Sequence, residues 1–441
     1  MSSEFFNLSR VEFTDDSDLI NPEQTISNPR PSSVHTLEGG DQIIGNEDIN
    51  SDFGLGVLLG IAAQDSNPSA SIDLRSQATL YAEGIRNQGS IFTNGGSDVL
   101  AGTATAKIAA IAETVSETIA YAETLDSSAF ADIFASLDIK AIANGIYNSG
   151  RIYTGDDSDT INGEIEASVK AVATASVDVS AIIEEIAHTP MSEGLTVFAE
   201  VIATSLAKAE IIARGINNNQ GTIITGDGAD SISATATSSS DTFSDTSGST
   251  ISSAPAENQA LAEAVVEAVA EASDRAIAID NTGGLILMGK RDEDEGDLIE
   301  ATAEASHQAI AIKNNGGEIR TGGGNDSITG YATGSESYGI YGGDILTGGG
   351  ADRVEASSFG GDVTINMGNG ADFVQGFGDA QVFGGADLDT LSFGSYNKSD
   401  FSIYTDNNFT VFELDDMIMQ TSGFENYIFA DGSYSDDLLM G

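Results

Sequence analysis

The sequence predicts an all-β protein, a right-handed parallel β-solenoid that is wide on its N-terminal side and narrows toward its C-terminus. Three observations predict it. Glycine-aspartate turns recur along the chain, apolar residues flank the turns at a constant spacing, and the segments between turns alternate Ala with polar residues. Alternation at period two marks half-buried strands. Recurrence of one unit marks a repeat array whose members pack on their neighbours.

The turns are densest between Gly342 and Leu391. There the pattern small-Gly-x-Gly-x-Asp-x-apolar occupies Thr347 to Val354 and Met367 to Val374, and Gly384 to Leu391 repeats it with Asp387 in a glycine place. Glycine at 348, 350, 368 and 370 admits positive φ, which turns backbone carbonyls toward one point. Asp352, Asp372 and Asp389 then add hard anionic oxygens. Carboxylate and carbonyl oxygens suit Ca²⁺, whereas a chain with no Cys and only His35, His188 and His307 offers little to softer metals.

These turns resemble the RTX (repeat-in-toxin, haemolysin-type) calcium-binding nonapeptide G-G-x-G-x-D-x-U-x, where U is apolar. The match holds in turn chemistry and departs in the first position. The resemblance implies a β-roll over residues 300–391, with Ca²⁺ as cofactor and each ion completed by the turn of the adjacent coil. Asp352, Asp372 and Asp389 lie 20 and 17 residues apart and can pair in this way. Asp326 belongs to the same series, with Gly348, Gly350, Gly368 and Gly370 as the turn glycines. Asp344 and Asp362, with Asp379 after them, are second-rank candidates on the opposite edge, and Asp387 sits inside the third turn. Upstream, Asp41 stands in a first turn, and Asp98, Asp159 and Asp230 follow in similar turns, 61 and 71 residues apart, too far to share ions if an extra coil intervenes.

The upstream repeats share one spacing. Nine residues separate Ile91 from Leu100, Ile152 from Ile161, Ile223 from Ile232 and Ile319 from Ile328, and the same nine recur from Ile345 to Val354, Ile365 to Val374 and Val382 to Leu391. Ile286 to Ile299 is longer by the insert that begins Lys290-Arg291-Asp292. The return half shrinks instead, from 52 residues after Leu100 to 8 after Val374. Its long versions are Ala-rich. Pro190 to Ile212 and Pro255 to Ile279 carry an early Pro and near-helical apolar spacing, which allows helical inserts. Alternation favours the other reading, extra Ala-lined β-coils without a turn, with the Ser/Thr-rich stretch from Thr235 to Ser253 as an exposed loop.

This divides the chain into a cap and linker at 1–35 (Phe5, Phe6 and Phe13, then Pro22, Pro29 and Pro31), a long-repeat solenoid at 36–299, the β-roll at 300–391, and an aromatic β cap at 392–441. The last segment, with Phe424 to Tyr434 as its closing pattern, resembles the tail that follows RTX repeats and implies a type I secretion signal there.

Composition narrows the function. Seventeen basic against 69 acidic residues give a net charge of −52, which disfavours nucleic acid and anionic membranes and favours divalent cations. So acidic a chain also fits a solvating tail or halophilic adaptation, but 40% hydrophobic residues exceed what disorder carries. The N-terminus has no Sec-type signal peptide, no apolar run has the length of a membrane span, and no arrangement around the three His, no phosphate loop and no Gly-x-Ser-x-Gly suggests an enzyme. The expectation is a secreted or cell-surface calcium-binding solenoid, structural or adhesive, folding with Ca²⁺. Self-association or a cell-surface polysaccharide would supply its partner. Other readings are a surface-layer or filament subunit and the repeat region of a secreted enzyme. An ice-binding solenoid is disfavoured by the lack of regular Thr-x-Thr ranks.

Overall fold

The computed structural model describes residues 5–64, 66–122, 127–183, 196–254, 259–289 and 295–439. They form a parallel β-solenoid. Helical structure among them is confined to the single turns Leu8–Arg10, Lys398–Asp400 and Asp436–Leu439. His188, Pro190, Pro255, Met440, Gly441 and the insert from Lys290 to Asp294 lie outside the described residues.

One coil shows how the sequence makes the fold. After a turn at Asn148, the short strand Arg151–Tyr153 carries Ile152 inward, and the glycine-aspartate turn ending at Asp159 reverses the chain. Thr160–Ile183 then runs straight out, and Thr196–Asn217 runs straight back to the next turn. Each strand pairs in parallel and in register with its counterparts in the neighbouring coils. Three inward columns result. Ile43, Leu100, Ile161, Ile232 and Ile299 begin the first, Ile85, Ile146 and Ile216 lie in the second, and Ile91, Ile152 and Ile223 in the third, all fully buried. These columns are the spine of the molecule. The nine-residue spacing is the path from the third column to the first.

From the first four wide coils a flat arm projects. It is built of the pairs Gln42–Gln64 with Ser69–Asn87, Val99–Ala122 with Ser127–Asn148, Thr160–Ile183 with Thr196–Asn217, and Ser231–Ser253 with Gln259–Asp280. A strand of 24 residues such as Val99–Ala122 reaches about 80 Å. The two layers are lined by buried Ala, such as Ala104, Ala110, Ala131 and Ala141, with Val and Ile between them. Where arm meets spine the layers touch: a Cβ at Gly102 would fall 2.2 Å from the Gly145 carbonyl oxygen, and Gly45 against Gly84 and Gly163 against Gly215 repeat this waist.

The long inserts are therefore neither helices nor extra coils, but single strands out and back. They hold no Gly-Asp turn, so nothing bends the chain into another coil, and Ala alternation gives two flat faces that bury each other. The near-helical spacing of Leu261, Val265 and Val269 is a four-residue spacing on the outward face of a strand. Thr235 to Ser253, expected as a loop, is strand as well.

Beyond Gln259–Asp280 the arm stops, and coils shrink to short strands such as Leu298–Glu304, Gln308–Lys313 and Glu318–Gly323. A polar knot closes the step. Buried Asp274 meets His307 Nδ1 at 2.6 Å and accepts the hydroxyls of Ser238 and Ser240 and the amide of Ser306. Burial raises the Asp274 pKa, yet these bonds together bring it below the usual carboxylate range. His307 Nδ1 faces both Asp274 and Ser240, which lies 3.0 Å away, whereas a catalytic relay places acid and nucleophile on opposite ring nitrogens.

At the N-terminus, residues 5–35 already form a coil: Leu19–Ile20 pairs with Gln42 and Ile43, Ile26–Asn28 with Ile85 to Asn87, and Ser33–His35 with Ser90–Phe92. The segment of Pro29 and Pro31 is its turn. At the C-terminus the chain reverses direction. Ser402–Asp406, Phe409–Leu414 and Met417–Ser422 are antiparallel, and the last of them closes on Gly378–Ala386. Phe393, Phe401, Phe412 and Phe429 fill this cap, Phe393 stacking on Phe429 at 4.7 Å.

At its inward Ala positions the arm interior is closely packed, and Ala141 is buried there. Ala141→Leu is expected to cost about 1–3 kcal/mol in urea unfolding; an unchanged midpoint would mean that the layers part freely there.

Candidate metal centre

The aspartates of the turns stack into one ladder. In each coil Asp Oδ1 accepts the backbone N–H of the Asp in the preceding coil. Asp18 donates to Asp41 (2.8 Å), Asp41 to Asp98 (2.7 Å), Asp98 to Asp159 (2.8 Å) and Asp159 to Asp230 (2.9 Å). The series continues from Asp230 to Asp297 (3.0 Å), Asp326 (2.8 Å), Asp352 (2.9 Å), Asp372 (2.8 Å) and Asp389 (2.9 Å). Glu425 Oε2 ends it by accepting the Asp389 amide at 2.8 Å.

Their other oxygen sets the chemistry. Oδ2 of Asp41, Asp98, Asp159, Asp352, Asp372 and Asp389 is buried and has no hydrogen-bond partner. The threonine five positions earlier in four of these turns is near, but its one proton goes elsewhere: Thr93 Oγ1 donates to the Thr154 carbonyl at 2.8 Å and Thr347 Oγ1 to that of Met367 at 2.7 Å. Buried acids without a counter-charge resist ionisation. Burial, opposed by the Asp41 amide that donates to Oδ1, pushes Asp98 up to about 6. Asp159 is pushed to about 7 and Asp372 to about 6, again chiefly by burial, and Asp41, Asp352 and Asp389 move the same way.

The turn backbone brings the coils this close. Gly155 has φ +106°, and a Cβ there would fall 1.3 Å from the Asn94 carbonyl oxygen. Gly350 and Gly370 meet the carbonyl of the preceding coil at 1.6 Å in the same sense, and Gly348 and Gly368 at 1.9 and 2.0 Å. Asp387 takes one of these places with φ +86°, so its exposed side chain stands outside the ladder. Among the described residues no three acidic or His side chains gather around one point. Each coil thus offers one unpartnered or ladder-bound carboxylate, and any further donors are turn carbonyls.

The sequence names Asp98, Asp159, Asp230, Asp326, Asp352, Asp372 and Asp389 as candidates, and the structure brings all of them into one ladder. No coil intervenes between Asp98, Asp159 and Asp230, so their long separation is spent in the arm. Asp344 and Asp362 are not brought to the ladder; both are exposed at the opposite edge. That edge is held by amides. Asn28, Asn87, Asn148, Asn218 and Asn281 each donate Nδ2 to the Oδ1 of the next, at 2.7 to 2.8 Å, and Asn314 donates to the Asp344 carbonyl at 3.0 Å. Asp18, Asp297 and Glu425 do not stand out in the sequence, although each stands two residues before an apolar residue, Ile20, Ile299 and Tyr427.

No family model matches the chain, and no curated protein matches it. Among solved structures, a hyperactive, Ca²⁺-dependent, β-helical antifreeze protein from an Antarctic bacterium is similar at 14% identity, over 98% of this chain and 93% of that one, with a TM-score of 0.23. A likeness this slight carries no argument about the present chain.

Asp159→Asn tests the charge of the ladder, because Asn keeps the acceptor for the Asp98 amide. The folded pKa of about 7 lies above the ordinary Asp value of 3.8, so this group favours folding at low pH and loses that contribution as pH rises from there through about 7. Without divalent cations the variant should melt above the parent at about pH 8, by less at about pH 5, and match it only below about pH 3.8. A variant that melts lower at the higher pH would mean the carboxylate is already neutralised within the protein.

Proposed function

We propose that this chain is a secreted or cell-surface calcium-binding β-solenoid with a structural or adhesive role, folding with Ca²⁺. The observation that carries the reading is the column of buried Oδ2 atoms without partners. Two carboxylates one coil apart, about 5 Å, repel by about 3 kcal/mol at an effective dielectric of 20. Such a column keeps protons or holds cations.

The donor set fits a hard divalent ion. Stacked strands are about 4.8 Å apart, twice a Ca–O bond of about 2.4 Å. Asp98 with Asp159, and Asp352 with Asp372 and Asp389, would hold ions together with carbonyl oxygens of the glycine turns. Bound calcium supplies the positive charge that lets these carboxylates ionise inside the fold. The protein contributes the register that stacks them and the glycines that let the coils approach.

A net charge of −52 opposes compaction in the same way over the whole chain, so cation binding and folding are linked. This suits a protein that stays open at low cytosolic calcium and folds outside the cell. No helix among the described residues is long and apolar enough to cross a membrane. The role in this reading is mechanical and involves no catalytic step; in an adhesive version the partner is a cell-surface polysaccharide.

Circular dichroism through a calcium titration, with calorimetry for stoichiometry, tests the reading. Calcium should raise the β signal and melting temperature, and Asp372→Asn should lower the number of ions bound. A chelated sample with full β signal and the same melting temperature would sink it.

A further inference from the structure

The two ends of the arm are unlike. At the C-terminal end, the inward positions of Ser231–Ser253 from Ser238 onward are Ser, Thr and Gly, and the hydroxyls of Ser244 and Ser252 accept the amides of Ala270 and Ala262 in the facing strand, both at 3.1 Å. Short hydroxyls thus occupy edge amides. At the N-terminal end, the first coil covers Gln42–Gln64 and Ser69–Asn87 only near the spine, at Gln42 and Ile43 and at Ile85 to Asn87. Beyond those residues both strands pair on one side alone, with Val99–Ala122 and Ser127–Asn148. Their inner face is apolar and half-open, with Ile49, Phe53, Leu55, Leu59 and Ile72 partly buried and Leu74 41% exposed. A long open edge of this kind is a template for strand addition.

We propose that this edge is the interface of a closed homodimer, in which a second copy adds its own Gln42–Gln64 and Ser69–Asn87 antiparallel to these strands, about a twofold axis that crosses both layers. Charge fixes the register. Gly45 faces Gly84 across the layers, so Leu55, ten residues outward on one strand, faces Leu74, ten residues back on the other. With the axis through Leu55 and Leu74, Asp48 lies opposite the partner's Ala62, Asp52 opposite the partner's Leu58, and no two acids of that layer meet. In the other layer Asp73 lies opposite the partner's Arg75, and Arg75 opposite the partner's Asp73. A shift of the axis by one residue either way sets Arg75 or Asp73 against its own copy, a like-charge pair that cross-strand packing disfavours. Leu55 and Leu74 meet themselves inside, and Phe53 meets the partner's Val57.

The axis reverses the arms, so the two spines lie at opposite ends of one shared sandwich. The twofold pairing uses this edge fully in both copies, and at the other end the inner face of Ser231–Ser253 is lined by hydroxyls instead of large apolar side chains. Assembly therefore closes at two copies instead of growing into a filament. The inference does not rest on calcium.

Sedimentation velocity of the full chain, with calcium and with chelator, tests it. A dimer is expected. Asp73 and Arg75 are bonded to each other within one chain at 2.9 Å, with side chains 55% and 68% exposed, so their exchange leaves the fold intact, as circular dichroism will verify. Arg75→Asp should weaken association at least about tenfold. The double change Asp73→Arg with Arg75→Asp should restore it. A monomer at every concentration, a dimer indifferent to Arg75→Asp, or an open-ended polymer would each overturn the proposal.

Discussion

One hydrogen bond recurs through the molecule: a backbone amide of one coil to the Asp Oδ1 of the next. It holds the coils in a single register at the one edge where the chain turns most sharply. From that register follows the first apolar column, because each of its residues stands two places after its aspartate, and Ile91, Ile152 and Ile223 of the third stand nine residues before its members. The same bond explains why the ladder carries unspent charge. Oδ1 is used for architecture, and Oδ2 is left facing a dry interior.

The two edges of the spine solve one problem by different chemistry. An asparagine side chain donates and accepts at once, so the Asn28 to Asn314 ladder satisfies itself and needs nothing from outside. An ionised aspartate only accepts. The Asp edge is therefore conditional on a proton or a cation, whereas the Asn edge is unconditional, and the fold depends on conditions along one side only.

Much of this was legible in the sequence, and its limits are physical. The Gly-x-Gly-x-Asp-x-apolar turns and the nine-residue spacing mark the spine because backbone torsions and core packing act locally. Asp297 was hidden because an insert breaks the glycine pattern before it, although the Asp-x-apolar signal survives at Asp297 to Ile299. The arm was misjudged as extra coils or helices because Ala fits either structure; only the absence of a turn signal over some fifty residues separates a long straight strand from a folded one. Asp344 and Asp362, the second-rank candidates, sit in Gly-Gly-Asp turns of their own. The sequence does not reveal that the opposite edge is already satisfied by asparagine upstream, or that these side chains point to water.

The arm joins the spine at a waist where bare glycine backbones of the two layers touch. A load along the solenoid axis is shared by every backbone bond between adjacent coils. Wide coils such as Val99–Ala122 with Ser127–Asn148 present two strands of more than twenty residues to their neighbours, while the narrow coils present Arg353–Ala356 with Phe359–Asn369, of four and eleven, and Phe373–Gln375 with Gly378–Ala386, of three and nine. Under tension, then, the molecule behaves as a stiff plate in series with a slender thread. The thread yields first, at the coils held by Asp352, Asp372 and Asp389, so the strength of the whole would be set by how firmly those few rungs are clamped.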